Sequence, residues 1–210
     1  MMVSNPEALS LPGVTSQRWV PMLHSHSQEA NLHAMSGDVG VSTTTLSQWL
    51  SLLEASFIVF RLPPWFRNIG KRLVKQPKIY FLEPGLLSAL LQIEDASQIA
   101  RDPLLGGMFE NMVVVELLKA QWNRGVRETL SFYRDSSGRE VDIILERQRR
   151  PCPIEVKAAR TYTPEFAKTL HEFRNLVPDA IEPRLVYGGT QSYTASGFQV
   201  LPFTHTSSVL

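Results

Sequence analysis

The stretch EVDIILERQRRPCPIEVKA, residues 140–158, decides how this chain folds. Both of its halves alternate as β-strands do, with successive side chains pointing to opposite faces. In the first half Glu140 and Asp142 project from one face, and Val141 and Ile143 from the other. In the second half Glu155 and Lys157 share a face, while Ile154 and Val156 turn into apolar packing. A turn near Arg149-Arg150-Pro151 lays the halves side by side, so that Asp142, Glu155 and Lys157 converge on one patch of sheet. The preceding run TLSFYR (129–134) reaches this pair through Ser136-Ser137-Gly138 and is expected to join it antiparallel.

On the residues alone, two readings of that patch stay open. One is an exposed ion pair. The other is a metal site: two hard carboxylates with the carbonyl of Val156 between them suit an octahedral oxygen site for Mg²⁺ or Mn²⁺. A neighbouring lysine then orients a water or neutralises charge as a phosphodiester is cut. Ordinary composition yields about one E-x-K in a chain of this length by chance. The triplet therefore draws its weight from lying in an apolar strand, one strand after E-V-D. Glu140 stands beside the patch as a secondary candidate.

Outward from this centre the order is that of an α/β domain. A helix over LLGGMFENMVVVELLKAQW (104–122) is apolar on most sides and is expected between layers. A helix at 164–176, a strand at RLVYGG (184–189) and an edge strand at FQVLPF (198–203) complete a mixed sheet flanked by helices. Gly188-Gly189 reads as a strand end.

The N-terminal half follows another order. Residues 1–21 read as an irregular arm, broken by Pro6, Pro12, Gly13 and Pro21. A polar, helix-permissive segment (22–35) precedes a turn at Ser36-Gly37-Asp38-Val39-Gly40. Ser42 then caps a helix in which Leu46, Trp49, Leu50 and Leu53 fall at i, i+3, i+4 and i+7. Strands at FIVFRL (57–62) and KIYFL (78–82) follow, and Pro84 opens the short helix GLLSALLQ. Helix, turn, helix and two-stranded wing make a winged helix-turn-helix over 22–93, with EDASQIARDP (94–103) as a linker to the α/β domain at 104–210.

Composition narrows the function classes. The net charge of +1 over 210 residues gives no overall field toward nucleic acid or membrane, so any such preference is local. The single cysteine, Cys152, excludes an internal disulfide framework and suits a reducing cytoplasm. No apolar run approaches the roughly 20 residues of a membrane span, and the start MMVSNPEALSLPGV has no signal-peptide pattern. His24 and His26 lack a third ligand nearby. The strongest local asymmetry runs from Arg61 to Lys78, which holds Arg67, Lys71, Arg72 and Lys75 around Trp65 and Phe66 without one acid. On a wing, Arg67, Lys71, Arg72 and Lys75 suit the phosphates of DNA. The alternative is a wing packed on a partner domain, since the exposed side of the helix after Ser42 carries no Arg or Lys.

The runs FENMVVVELLKA, FYRDSSGREVDIILE and IEVKAA resemble the PD-(D/E)XK nuclease-like fold, in which an acid on the first helix joins an Asp and an E-x-K on successive core strands. The matching positions are Glu110, Asp142, Glu155 and Lys157. The run SLLEASFIVFRLPPWFRNIGKRLVKQPKIYFLEPGLLSALL, followed by GGMFENMVVVEL, is similar to the C-terminal region of a large family of bacterial and archaeal AAA+ ATPases. There a winged helix precedes a nuclease-like domain of unknown function. The resemblance implies Mg²⁺- or Mn²⁺-dependent cleavage of DNA, with Asp142, Glu155, the Val156 carbonyl and Glu110 at the metal and Lys157 aiding the water or the transition state. Its alternative is a non-catalytic module that binds DNA or docks to a separate ATPase or other protein. Two departures stand out. No G-x-x-x-x-G-K-[ST] run is present, so no ATP site is expected and the chain reads as a member without the ATPase domain. Surface left by that absence suits pairing with a second copy. Glu83 stands where the family usually has Asp, at a helix cap.

Overall fold

The computed structural model describes residues 31–66, 76–100 and 102–210. They divide into two compact units, 31–61 with 76–111 and 62–66 with 112–210. The chain is mixed α/β, with one two-stranded and one six-stranded sheet.

The first unit holds α1 (Leu32–Val39), α2 (Thr43–Ala55), β1 (Val59–Leu62), β2 (Lys78–Phe81), α3 (Pro84–Leu90), α4 (Ala96–Ile99) and the start of α5 (Leu105–Asn123). Ser42 caps α2 as the sequence indicates, accepting the Thr45 N–H at 3.0 Å. Leu46, Leu50 and Leu53 carry the apolar stripe of α2 into a core with Val59, Ile79 and Leu87. The segment read as a turn, Ser36–Val39, is instead the last turn of α1. Gly40, at φ 78°, supplies the left-handed cap and donates to the carbonyls of Ser36 and Gly37. Glu83 does cap α3, accepting the Gly85 N–H at 3.2 Å. The stretch read as a linker carries α4, closed by a reciprocal capping box of Asp95 and Gln98.

The second unit is built on the strand order β3-β4-β5-β6-β8-β7. These are β3 (Leu130–Arg134), β4 (Glu140–Arg147), β5 (Arg150–Lys157), β6 (Arg184–Tyr187), β7 (Tyr193–Ala195) and β8 (Phe198–Pro202). β5, β6 and β8 are parallel, and the other pairings are antiparallel. The run FQVLPF, expected at the edge, is internal because β7 pairs on its outer side. A three-residue strand is too short to show alternation in a sequence. The opposite edge is shielded: Phe132 N–H donates to Pro63 O at 3.0 Å and Trp65 N–H to Phe132 O at 2.6 Å, so Pro63–Trp65 lies along β3. A 3₁₀ turn (Pro164–Ala167) leads into α6 (Lys168–Leu176), whose Leu170 and Phe173 pack with Tyr133, Val141, Leu185 and Val200. Trp65 completes this core, 5.6 Å from the Phe173 ring.

β5 holds two prolines although it lies inside the sheet. Pro151 and Pro153 pair with β4 only, because the β6 ladder starts at Ile154 opposite Arg184. Their missing N–H groups thus fall where β5 is still an edge. Among the described residues, no helix is long and apolar enough to cross a membrane.

Candidate functional site

Strands β4 and β5 form a hairpin whose two-residue turn is Gln148-Arg149, both with positive φ, closed by Arg147 opposite Arg150. The turn therefore lies one residue earlier than the sequence suggests. The ladder runs away from it as far as Ile143 opposite Ile154. One step further, at Asp142 and Glu155, the strands part, while β5 continues beside β6 to Lys157 opposite Tyr187. A strand that loses its neighbour leaves backbone donors to satisfy. Here the Val156 N–H donates to Asp142 Oδ2 at 2.8 Å, so the carboxylate takes the place of the missing backbone acceptor. It is thus the amide of Val156, and not its carbonyl, that reaches Asp142.

β4 also departs from strict alternation. Tyr133 pairs with Val141 but Ser131 with Ile144, so Phe132 faces both Asp142 and Ile143 across a β-bulge. As a result Val141 and Ile144, three residues apart, share the core beneath α6, where alternation grouped Val141 with Ile143. A bulge re-aims side chains and twists the strand locally. It sits where Asp142 turns toward β5.

Lys157 Nζ donates to Glu155 Oε1 at 2.5 Å and lies 4.0 Å from Asp142 Oδ2. Glu155 is buried, Asp142 is mostly covered, and the Lys157 side chain is 32% exposed. The three residues singled out on β4 and β5 therefore meet. Asp142 and Glu155 line an open cleft with Gly138, Arg139, Glu140 and, from the first turns of α6, Lys168, Thr169 and Glu172. Glu140 also pairs with Arg134 at 3.3 Å. Two carboxylates beside an open cleft offer hard oxygen donors of the kind Mg²⁺ and Mn²⁺ take. Among the described residues no group of three His, Cys, Asp or Glu side chains is set to ligate a metal, and Lys157 supplies the positive charge between the two acids.

Glu110 lies on α5 in the first unit. Its Oε1 accepts Tyr80 Oη at 2.5 Å and Lys78 Nζ at 3.0 Å. Lys78, which the sequence groups with the basic run, is fully buried. Arg61, at the other end of that run, pairs with Glu54. Arg67, Lys71, Arg72 and Lys75 lie outside the described residues.

One acid near the cleft escaped sequence reasoning. Asp135 opens the turn before β4 and is buried. Its Oδ1 accepts Ser137 N–H at 2.9 Å, Ser137 Oγ at 2.6 Å and Arg139 N–H at 3.2 Å. Its Oδ2 accepts Arg139 Nε at 3.0 Å and Tyr133 Oη at 3.3 Å. Burial pushes its pKa up, but the hydrogen bonds from Ser137 and Arg139 and the guanidinium charge outweigh that and hold it well below the usual carboxylate range. Burial and the Asp135 charge push the Tyr133 phenol up to about 12. The motif Asp-Ser-Ser-Gly, an Asp ahead of turn residues with Gly138 at φ 82°, was the available signal.

Residues 105–206 match the family described as Domain of unknown function (DUF4143), and residues 12–97 match Domain of unknown function (DUF8612). The chain is 32% identical over 189 residues to the uncharacterized protein Rv2008c of Mycobacterium tuberculosis, and equally to the uncharacterized protein Mb2031c of Mycobacterium bovis. Each match covers 89% of this chain but 41% of the relative, so the chain spans less than half the length of these proteins.

Proposed function

We propose that the second unit is a nuclease-like domain that hydrolyses phosphodiester bonds in DNA with Mg²⁺ or Mn²⁺, and that the first unit is a winged-helix module. The observation that carries this reading is the convergence of Asp142, Glu155 and Lys157 at the parted end of β4 and β5, where the two acids line an open cleft. Asp142 and Glu155 would hold the metal, which supplies Lewis-acid activation of the phosphate and of a water. The Val156 amide fixes the Asp142 carboxylate in one orientation. Lys157 holds a positive charge beside both acids, where it neutralises charge that develops on the phosphate and orients the attacking water. Arg139 and Lys168, on the cleft wall, draw in the anionic strand.

More than half of each mycobacterial relative lies outside the match, which leaves room for a further domain. In this reading that domain is an ATPase of the AAA+ type, as in the family that this chain resembles, and ATP is bound there, since this chain carries no G-x-x-x-x-G-K-[ST] run.

A second reading is favoured by the 2.5 Å contact between Lys157 and Glu155. A carboxylate neutralised by its own lysine suits a fold that binds DNA or a protein partner without cutting. Incubation of DNA with the wild type, Lys157→Ala and Asp142→Asn, with Mg²⁺ or Mn²⁺, separates the two. Cleavage lost in both variants supports the enzyme. A wild type no better than its variants leaves the binding module.

A further inference from the structure

A second cleft opens at the carboxyl ends of β5 and β6, lined by Arg160, Tyr187, Gly188, Gly189, Thr190 and Gln191. In sheets with parallel strands, ligands gather outside the carboxyl ends. The loop after β6 is shaped by its two glycines. A Cβ on Gly188 would stand 2.4 Å from the Ala158 carbonyl oxygen, and one on Gly189 would stand 2.2 Å from the Tyr187 ring. Gly188 N–H donates to the carbonyls of Lys157 and Ala159, which ties the loop to the segment leaving β5. The Tyr187 hydroxyl donates to Gln191 O at 3.0 Å and accepts Gln191 N–H at 3.2 Å, so the loop closes over the ring before any ligand arrives.

Three groups around this closed loop are open to a ligand. The amides of Gly189 and Thr190 donate to no protein group among the described residues. Arg160 is exposed and forms no ion pair among them. Tyr193 is 38% exposed, and Tyr187 and Tyr162 hold it edge-on at 6.1 and 6.3 Å. Exposed backbone N–H groups and a guanidinium are phosphate ligands. An aromatic ring held upright beside them is a platform for a base. Arg160 follows Lys157 by three residues, so its Cα lies within about 11 Å of that of Lys157.

Resting on the nuclease reading of the Lys157 site, we infer that this second cleft is the subsite for single-stranded DNA next to the scissile phosphate. Arg160 with the Gly189 and Thr190 amides takes a backbone phosphate, and Tyr193 stacks on a base. The subsite gives affinity with little sequence choice, since phosphate contacts carry none.

The test is fluorescence anisotropy of a labelled single-stranded oligothymidylate with the full chain in EDTA, so that no cleavage enters. Arg160→Ala is expected to weaken binding about 10-fold and to lower the slope of log K against log salt by about 1. Tyr193→Ala is expected to weaken binding about 5- to 10-fold or more with the salt slope unchanged, as lost stacking does. Both residues are exposed, and unchanged thermal melts confirm intact variants. Wild-type binding that neither variant alters overturns the subsite, and metal-dependent cleavage by the same protein then leaves the nuclease reading standing. A wild type that neither binds the strand nor cuts DNA overturns both.

Discussion

Lys78 with Glu110 in the first unit and Lys157 with Glu155 in the second are the same chemical pair in two settings. The first is closed: the Lys78 side chain is 1% exposed, and Tyr80 gives Glu110 a second donor. The second is open on its cationic side, with Lys157 32% exposed at the end of a sheet that has parted and Glu155 buried behind it. A closed pair is committed to the fold, because moving either charge leaves the other unpaired in a poor dielectric. An open pair keeps one charge within reach of a ligand. Burial of the lysine, more than the pairing itself, separates a fastening from a site.

Lys78→Ala tests this most severely. It empties a fully buried site and leaves Glu110 without its cation, and should cost about 3–5 kcal/mol in denaturant unfolding. If it proved as mild as the matching change at Lys157, burial would not be what divides the two pairs. Lys157→Ala should lower stability by only about 1–2 kcal/mol, because the space its part-exposed side chain leaves admits water to Glu155, and under the nuclease reading it should reduce DNA cleavage at least about 100-fold. Retained cleavage would move this pair into the structural class.

Asp135 belongs with the closed kind and extends the comparison to pH. Its pKa is lower folded than unfolded, so the folded state binds fewer protons near the ordinary value of 3.8. The stability it contributes is fully present above that value and is lost as pH falls below it. Tyr133 runs the other way: raised from 10.0 to about 12, it contributes stability below pH 10 that is lost between pH 10 and 12. Asp135→Asn should cost about 1–3 kcal/mol at neutral pH and flatten the acid limb of a stability–pH curve measured by thermal melts. An unchanged limb would remove Asp135 as its source. The smallest effect is expected at Arg61 and Glu54, about one-third exposed each. A double-mutant cycle there should give only about 0.2–1 kcal/mol, and a larger value would show that exposure is a poor guide in this chain.

The parts legible in the sequence are those set by local pattern. Apolar alternation with acids at fixed offsets marked β4 and β5, and the stripe Leu46, Leu50, Leu53 marked α2 and its cap. What the sequence hid depended on distant partners or single residues. Lys78 counted as one more cation of the basic run, and nothing near it in the chain pointed to Glu110, 32 residues later, as its partner. The bulge at Asp142 and Ile143 changes pairing without changing composition. Ser36 looked like a turn residue, yet its hydroxyl donates back to the His33 carbonyl inside a helix.

The Gln148-Arg149 turn gives the candidate site a place in time as well as in space. Asp142 and Glu155 are brought together by one short hairpin, and such hairpins form within about 1–10 μs. β5, β6 and β8 must instead wait for connections that run through α6 and β7. The two acids therefore meet before the sheet that will bury Glu155 has closed. Pulse-labelled hydrogen exchange during refolding should show β4 and β5 amides protected ahead of those in β6 and β8.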